Sequence, residues 1–161
     1  MNPKVVIFDV DGVMTTGQFF YSADGKAMKV FGPDDNDALN ELVNFVDFRF
    51  VSADLKGFDI SRKRITEDMG FKLDLVPSAE RPDWIKQIYE LKDVIYMGDG
   101  IFDHLVMDQV GYSIAPGNAF VSAKRAADYV TERTGGDRAV AEACAHIVSK
   151  FFSKNSKFGQ L

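Results

Sequence analysis

Cysteine is nearly absent from this chain, which has Cys144 as its single cysteine among 161 residues. One cysteine cannot form an internal disulfide, and it excludes a zinc site built from several thiolates. Cys144 lies in an alanine-rich segment, residues 139–148, that is typical of a helix. We therefore expect a small buried hydrophobic side chain at this position and not a reactive or ligating thiol.

Long apolar runs are also missing, since none approaches the ~18 residues that a membrane span needs. Met1 leads directly into a strand-like segment, without the pattern of a signal peptide. The net charge of −5 is mild and argues against nucleic acid or an anionic membrane as the main partner. These features predict a cytoplasmic enzyme with a small-molecule ligand. A small phosphorylated substrate remains compatible with this charge, because a metal and a few cations can reverse the field inside one pocket.

Strand and helix patterns alternate along nearly the whole chain, which has the length of one domain. Short apolar runs predict strands over 4–10, 48–52, 73–76, 94–98, 112–115 and 128–131. Helical patterns cover 37–45, 60–70, 81–91, 101–110, 118–126 and 139–152. Strands separated by helices of this length predict an α/β fold, with a mainly parallel sheet covered on both faces.

A β-hairpin is predicted over about 18–31, because Asp24-Gly25 separates two short apolar stretches. Asp34, Asp35 and Asn36 are expected to cap the helix that follows. The segment between Gly12 and that helix is too short for an additional cap domain. The expected organisation is one domain over 1–153, followed by a polar tail over 154–161.

Polar and charged side chains follow four of the predicted strands, each at the carboxyl end. They are Asp9 and Asp11 after the first strand, Ser52 after the second, Arg81 soon after the third, and Asp99 with Asp103 after the fourth. Ligands of open parallel sheets bind at this edge, so we expect these groups to surround one site. A lone D-x-D-G occurs often in ordinary turns. Function is predicted only when this motif is taken together with the polar groups at the other strand ends.

The carboxylates in this set predict phosphoryl transfer. Asp9 is the expected nucleophile, because a carboxylate can attack phosphorus and form an aspartyl-phosphate that water then hydrolyses. Asp11 can act as the general acid for the leaving group and then as the base for water. Clustered carboxylates need a cation, and oxygen ligands with room for water and phosphate suit Mg²⁺. The expected metal ligands are Asp9, the main-chain carbonyl of Asp11, and Asp99.

The phosphate itself needs hydrogen-bond donors and a positive charge. The residues expected to bind it are Thr15, Ser52, Ala53 and Arg81. Two of them have a structural alternative: Ser52 could be an ordinary strand-end serine, and Arg81 could be a surface arginine in the first turn of a helix.

Several segments together resemble the haloacid dehalogenase superfamily of phosphatases. The four motifs of that family are matched by DVDGVMTTG (9–17), Ser52, Arg81-Pro82 and GDGIFD (98–103). The chain most resembles the small capless branch typified by 3-deoxy-D-manno-octulosonate 8-phosphate phosphatase. VGYSIAPGNA (110–119), AADYVT (126–131) and the G-G-x-x-A-V-x-E pattern at 135–142 also look like this branch, so the resemblance covers nearly the whole chain.

This resemblance implies a Rossmann-like three-layer αβα sandwich, Mg²⁺ and a homotetramer in which projecting hairpins pack together. Phe19, Phe20 and Tyr21 on the hairpin are then expected at a subunit contact, although they could instead pack on their own domain. Without a cap, a neighbouring subunit or the substrate itself must exclude water from the site.

The chain departs from the branch at several positions. Ser52-Ala53-Asp54 stands where relatives have Thr-Gly-Arg, so that Asp54 replaces a cation. Arg81 takes the place of the motif-three lysine, with Lys86 as the alternative cation, and Asp103 is expected to orient Arg81. Residues 35–38 and Ala141 differ where relatives recognise the sugar.

The function predicted is hydrolysis of a sugar phosphate monoester, with an acidic eight- or nine-carbon sugar of the octulosonate or sialic-acid type. A catalytically weak domain with a regulatory or assembly role is one alternative, and a phosphatase for another phosphate ester is a second.

Overall fold

A computed structural model describes residues 1–152, and the predicted polar tail over 154–161 lies outside the described residues. Its strands are β1 (Val5–Asp9), β2 (Thr15–Ser22), β3 (Gly25–Phe31), β4 (Asp47–Ser52), β5 (Leu73–Leu75), β6 (Val94–Met97), β7 (Tyr112–Ala115) and β8 (Tyr129–Val130). Its α-helices are α1 (Asp35–Leu42), α2 (Phe58–Arg62), α3 (Arg81–Ile88), α4 (His104–Met107), α5 (Val121–Ala126) and α6 (Ala139–Ile147). Two π-helical stretches, Lys63–Asp68 and Val148–Phe152, continue α2 and α6.

Six strands form one parallel sheet in the order β5-β4-β1-β6-β7-β8, and β2 and β3 form a separate antiparallel hairpin. The predicted α/β fold with a mainly parallel sheet and a hairpin is therefore confirmed. Every described sheet strand is parallel to its neighbours, as expected when helices connect them. β1 lies at the centre, between β4 and β6, which places Asp9 at the middle of the sheet edge.

Side chains of β1 alternate between two hydrophobic cores, one on each face of the sheet. Val6 and Phe8 belong to the core that includes residues of α1 and α6, such as Leu39 and Val140. Val5 and Ile7 belong to the opposite core, together with Ile85 of α3, Val106 of α4 and Ala123 of α5. Helices therefore cover both faces of the sheet, which gives the three-layer arrangement. Cys144 is buried in the first core, as predicted.

The predicted capping of the first helix is wrong. α1 begins without a side-chain cap, and Asp34 adopts a left-handed conformation with φ 66°. The Asp34 carboxylate instead pairs with Arg138 at 2.6 Å, and Asp35 accepts a hydrogen bond from the Ala141 amide at 2.9 Å. Both partners belong to α6 or the residue just before it, so these carboxylates join two helices that the sequence separates by about a hundred residues.

Several predicted helices are shorter in the structure, and α5, for example, begins at Val121 and not at residue 118. The helix expected over 101–110 is reduced to α4, because the Asp103 side chain accepts a hydrogen bond from the Gly100 amide at 2.7 Å and holds the preceding residues in a turn. The helix expected over 81–91 ends at Ile88, since Tyr89 is extended. No helix within residues 1–152 is long and apolar enough to cross a membrane.

Candidate active site

The strand-end groups other than Ser52 line a cavity of about 380 Å³ at the carboxyl edge of the sheet, and Ser52 is buried behind Asp11. Asp9, Asp11, Arg81 and Asp99 line it, as the sequence predicts. β1, β4 and β6 are neighbours in the sheet, so their carboxyl ends and the loops after them meet at this place. Phe19 and Lys26 of the hairpin close another side of the cavity.

Asp9 and Arg81 form a buried, two-pronged ion pair. Nη1 and Nη2 of Arg81 lie 2.9 Å and 3.0 Å from the two oxygens of Asp9. The Val10 amide donates to the same carboxylate at 2.8 Å. Burial raises the pKa of Asp9 to about 6, the Asp103 carboxylate adds to that shift, and Arg81 opposes it. The guanidinium therefore fixes the orientation of the Asp9 carboxylate and supplies a charge beside it.

Asp103 holds Arg81 from the other side. Its Oδ1 lies 3.0 Å from Arg81 Nη1 and accepts a hydrogen bond from the Tyr96 hydroxyl at 2.6 Å. Tyr96 is fully buried, and burial with the Asp103 carboxylate raises its pKa well above the ordinary value, so the hydroxyl stays a donor. The structure thus brings Asp103 to the place where it can orient Arg81. Sequence reasoning missed Tyr96, whose position inside a buried strand gave no sign of a polar contact.

Lys86, the alternative cation, lies away from the site. Its side chain is 46% exposed and pairs with Asp83 at 3.5 Å on the surface of α3. Arg81, in contrast, is only 1% exposed. Among the described residues, Arg81 is therefore the cation that contacts Asp9.

Asp99 approaches the backbone of the loop after β1. Gly12 has φ 90°, and a β-carbon there would lie only 2.0 Å from Oδ2 of Asp99. The glycine is required both for this conformation and for this close approach. Within residues 1–152, no other residue offers the Asp99 carboxylate a hydrogen bond or an ion pair. Burial raises the pKa of Asp99 to about 8, with the Asp9 and Asp103 carboxylates adding to the shift.

The carboxylates of Asp9, Asp99 and Asp103 form a cluster that could hold a cation, since each offers an oxygen within 4.8 Å of the others. Asp103 already accepts hydrogen bonds on both oxygens. Asp99 has no such partner, and a cation beside it would offset both the burial and the carboxylate repulsion that raise its pKa. The donor set is all oxygen, which fits a hard divalent ion such as Mg²⁺.

Asp11 is held on both of its carboxylate oxygens. The Ser52 hydroxyl donates to Oδ2 at 3.0 Å, and Lys29 Nζ lies 2.7 Å from Oδ1. Ser52 also accepts a hydrogen bond from the Asp54 amide at 3.1 Å and is fully buried. The structure therefore places Ser52 on Asp11, and a contact between Ser52 and phosphate requires exchange of this hydrogen bond.

Two lysines of the hairpin belong to the site, and sequence reasoning missed both. Lys26 Nζ lies 2.5 Å from Asp54 and 3.4 Å from the centre of the Phe19 ring. Lys29 Nζ lies 2.9 Å from the same Asp54 carboxylate. Although Asp54 stands where a cation was expected, the hairpin supplies two cations at this place, Lys26 and Lys29.

Thr15 lies in the turn after β1, and Ala53 lies on the cavity wall. Thr15 is fully buried, and its hydroxyl accepts hydrogen bonds from the amides of Gly12 and Gly17, each at 3.2 Å. It holds the turn after β1 and does not line the cavity around Asp9. Ala53 lines that cavity.

Ala38 and Ala141, which differ from relatives, line a separate cavity of about 620 Å³ between α1 and α6. In this chain, neither of the two lines the cavity around Asp9.

Known proteins resemble this chain in sequence and in fold. The profile of the haloacid dehalogenase-like hydrolases matches residues 86–143. The 3-deoxy-D-manno-octulosonate 8-phosphate phosphatase KdsC of Haemophilus influenzae is 34% identical over 146 residues, which are 88% of this chain and 80% of that protein.

Two solved structures share the fold. The cobalt-bound deoxy-D-mannose-octulosonate 8-phosphate phosphatase YrbI of Haemophilus influenzae is 30% identical, with a TM-score of 0.79 and 94% of each chain covered. The 3-deoxy-D-manno-octulosonate 8-phosphate phosphatase of Moraxella catarrhalis, in complex with magnesium ion, phosphate ion and KDO, has a TM-score of 0.80 over 92% of this chain and 87% of that one. It is 24% identical, which is a likeness of fold.

Proposed function

The chain belongs to the haloacid dehalogenase-like hydrolases and is a phosphoric monoester hydrolase, and we propose that it acts on the phosphate ester of an acidic eight- or nine-carbon sugar. The observation that carries the proposal is the Asp9 carboxylate, fixed by Arg81 in a cavity that Asp11 and Asp99 also line. The relatives named as octulosonate 8-phosphate phosphatases support the substrate class.

Magnesium is the proposed cofactor, held by Asp9, Asp99 and the main-chain carbonyl of Asp11. The described residues at the site carry a net charge of −2 when all are ionised, which one divalent ion balances. The charged groups are Asp9, Asp11, Asp54, Asp99, Asp103, Lys26, Lys29 and Arg81. The unpartnered Asp99 carboxylate supports this ligand set, and so does the cobalt in the Haemophilus relative. When bound, the ion would supply positive charge to the phosphoryl oxygens.

The reaction proposed for this chain has two steps. In the first, an oxygen of Asp9 forms a bond to phosphorus, the bond from phosphorus to the ester oxygen breaks, and Asp11 gives its proton to that oxygen. The alcohol leaves, and Asp9 carries the phosphoryl group. In the second, water attacks phosphorus while Asp11 takes a proton from the water, which releases inorganic phosphate and restores the Asp9 carboxylate.

Arg81, Ala53 and Ser52 are the proposed phosphate contacts. Arg81 lines the cavity and is fixed by two carboxylates, so its charge is in place before substrate arrives. The Ala53 amide lies in the loop directly after β4. Ser52 would exchange its hydrogen bond to Asp11 for one to a phosphate oxygen.

Lys26 supports an acidic sugar as the leaving group. Its ammonium lies on the cavity wall beside the apolar surface of Phe19, and a substrate carboxylate can compete with Asp54 for it. We expect Lys26→Met to raise KM about tenfold for octulosonate 8-phosphate or neuraminate 9-phosphate, the effect of one charge-assisted contact. KM for glucose 6-phosphate, which has no carboxylate, should change little.

The experiment is a kcat/KM screen of these esters with wild type, Lys26→Met and the distant surface variant Lys92→Met. Equal kcat/KM on all esters in the wild type would contradict the acidic sugar as substrate. An equal rise of KM for acidic and neutral sugars in Lys26→Met would contradict the role of Lys26.

A homotetramer formed through the hairpin is also part of the proposal. Phe20 and Tyr21 are 49% and 64% exposed, and Met28 beside them is 58% exposed, which supports a contact of this surface with another subunit. Phe19 lies instead on the cavity wall beside Lys26. Light scattering is expected to give a tetramer mass at micromolar concentration, and Tyr21→Lys should reduce it. Leu55→Lys, an equally exposed position outside the hairpin, should not. A monomeric wild type would contradict this assembly.

A further inference from the structure

Lys29 is a buried lysine whose ammonium contacts three oxygens. Its side chain has no exposed area, and Nζ lies 2.7 Å from Asp11 Oδ1, 2.9 Å from Asp54 Oδ2 and 2.8 Å from Ser61 Oγ. The ammonium donates a hydrogen bond to Ser61 Oγ and forms ion pairs with the carboxylates of Asp11 and Asp54. Burial of an ammonium is costly unless it is fully paired, and this one is paired at the edge of the active site.

A bulge in the hairpin puts Lys29 and Lys26 on the same side. Residues 26 and 29 of a regular strand would point to opposite faces. Phe20 pairs with Met28, but Tyr21 pairs with Lys26, so Ala27 is an extra residue in β3. Such a bulge reverses the alternation of side chains. Both lysines then reach Asp54, and Lys29 continues to Asp11.

Lys29 contacts the inner oxygen of Asp11. Oδ1 is fully buried, whereas the Asp11 side chain as a whole is 18% exposed. The exposed part therefore lies elsewhere on the side chain, and Oδ2 is the oxygen left for the cavity. With an ammonium at Oδ1, the proton of a neutral Asp11 carboxyl belongs on Oδ2, where the Ser52 hydroxyl can turn to accept or donate.

We infer that Lys29 is a positioning residue for Asp11: it holds Oδ1 so that Oδ2 faces the ester oxygen of the substrate. This inference rests on the proposed function, because it assigns Asp11 the proton transfer of the first step. The hairpin thereby becomes part of the catalytic apparatus of its own chain, in addition to the subunit contact proposed for its outer face.

The test compares leaving groups in the variant Lys29→Met, which keeps an unbranched side chain one atom shorter and removes the charge. An alkyl phosphate needs a proton on its leaving oxygen, whereas p-nitrophenolate leaves without one. We expect kcat/KM to fall about 100-fold for a sugar phosphate and no more than about tenfold for p-nitrophenyl phosphate. kcat/KM reports the steps up to departure of the leaving group, so hydrolysis of the phosphoenzyme does not affect the comparison.

Four further variants complete the experiment. Asp11→Asn should show the same selective loss, Lys29→Arg should restore part of the sugar phosphate activity, and the surface variant Lys72→Met should leave both activities unchanged. Ser61→Ala removes one contact of Lys29 and serves if Lys29→Met does not fold. It should show a smaller loss, about threefold, that is again confined to the sugar phosphate.

Equal losses on both esters in a folded variant, or no loss on either, would overturn the positioning role while the proposed function stands. A wild type without hydrolysis of any ester would instead reject the proposed function. Circular dichroism and the thermal midpoint identify which variants are folded.

Discussion

Asp9→Asn is expected to lower kcat/KM for phosphate esters by on the order of 10⁴-fold or more, because it removes the proposed nucleophile. The amide keeps the shape of the side chain and can still accept the hydrogen bond from the Val10 amide. Its nitrogen and neutral oxygen cannot attack phosphorus as a carboxylate does. Activity is measured in saturating Mg²⁺ with a sugar phosphate and with p-nitrophenyl phosphate, and both should be lost equally.

Asp93→Asn is the matched control, since Asp93 pairs with Lys4 at the other end of the sheet. It should retain wild-type kcat/KM. If Asp9→Asn retained more than about a hundredth of the wild-type rate on both esters, the nucleophile would have to be another group.

Among the single substitutions considered, Arg81→Met is expected to lower the free energy of unfolding most, by about 3–5 kcal/mol. Arg81 is 1% exposed and pairs with both Asp9 and Asp103, so its removal leaves two buried carboxylates without a counter-charge. Activity should fall at least about 100-fold, because the Asp9 carboxylate loses its orientation and the phosphate loses a cation. Urea denaturation in metal-free buffer gives the free energy, and steady-state assays give kcat/KM.

Two further variants test whether the loss of stability comes from the buried ion pairs. They are Lys86→Met and the double variant Arg81→Met with Asp103→Asn. Lys86 is half-exposed on the same helix, so its replacement should change stability by less than about 0.5 kcal/mol. Adding Asp103→Asn to Arg81→Met removes one of the two unpaired charges and should recover part of the lost stability. A similar small loss for Arg81→Met and Lys86→Met would contradict the buried ion-pair network.

The strand-end residues could be predicted because a parallel sheet fixes where its carboxyl ends meet. Asp9, Ser52 and Asp99 needed only the order of apolar runs along the chain to be placed at one edge. Arg81 was predicted with Lys86 as its alternative. Helix geometry distinguishes them, since Arg81 at the start of α3 contacts Asp9 at the end of β1, whereas Lys86 lies on the exposed face of the helix. The hairpin followed from Asp24-Gly25 for a similarly local reason.

The contacts of Lys29, Thr15 and Asp34 could not be predicted in this way. Lys29 reaches Asp11 through a bulge, and one extra residue in a strand leaves no reliable sign in the sequence. The Thr15 hydroxyl is used by neighbouring amides of a turn, which competes with any ligand contact. The Asp34 carboxylate pairs with Arg138 and does not cap α1, and Arg138 lies near Asp34 only in the folded chain.

The proposal that Asp9 is the nucleophile is tested most directly by identifying the residue that carries the phosphoryl group during turnover. Reaction mixtures with Mg²⁺ and a sugar phosphate are quenched in acid, reduced with borohydride and digested for mass spectrometry. Reduction converts a phosphorylated aspartate to homoserine. If Asp9 is the nucleophile, we expect homoserine at position 9 and intact aspartate at position 11. Homoserine at Asp11 or at another aspartate, or turnover that persists in Asp9→Asn, would contradict it.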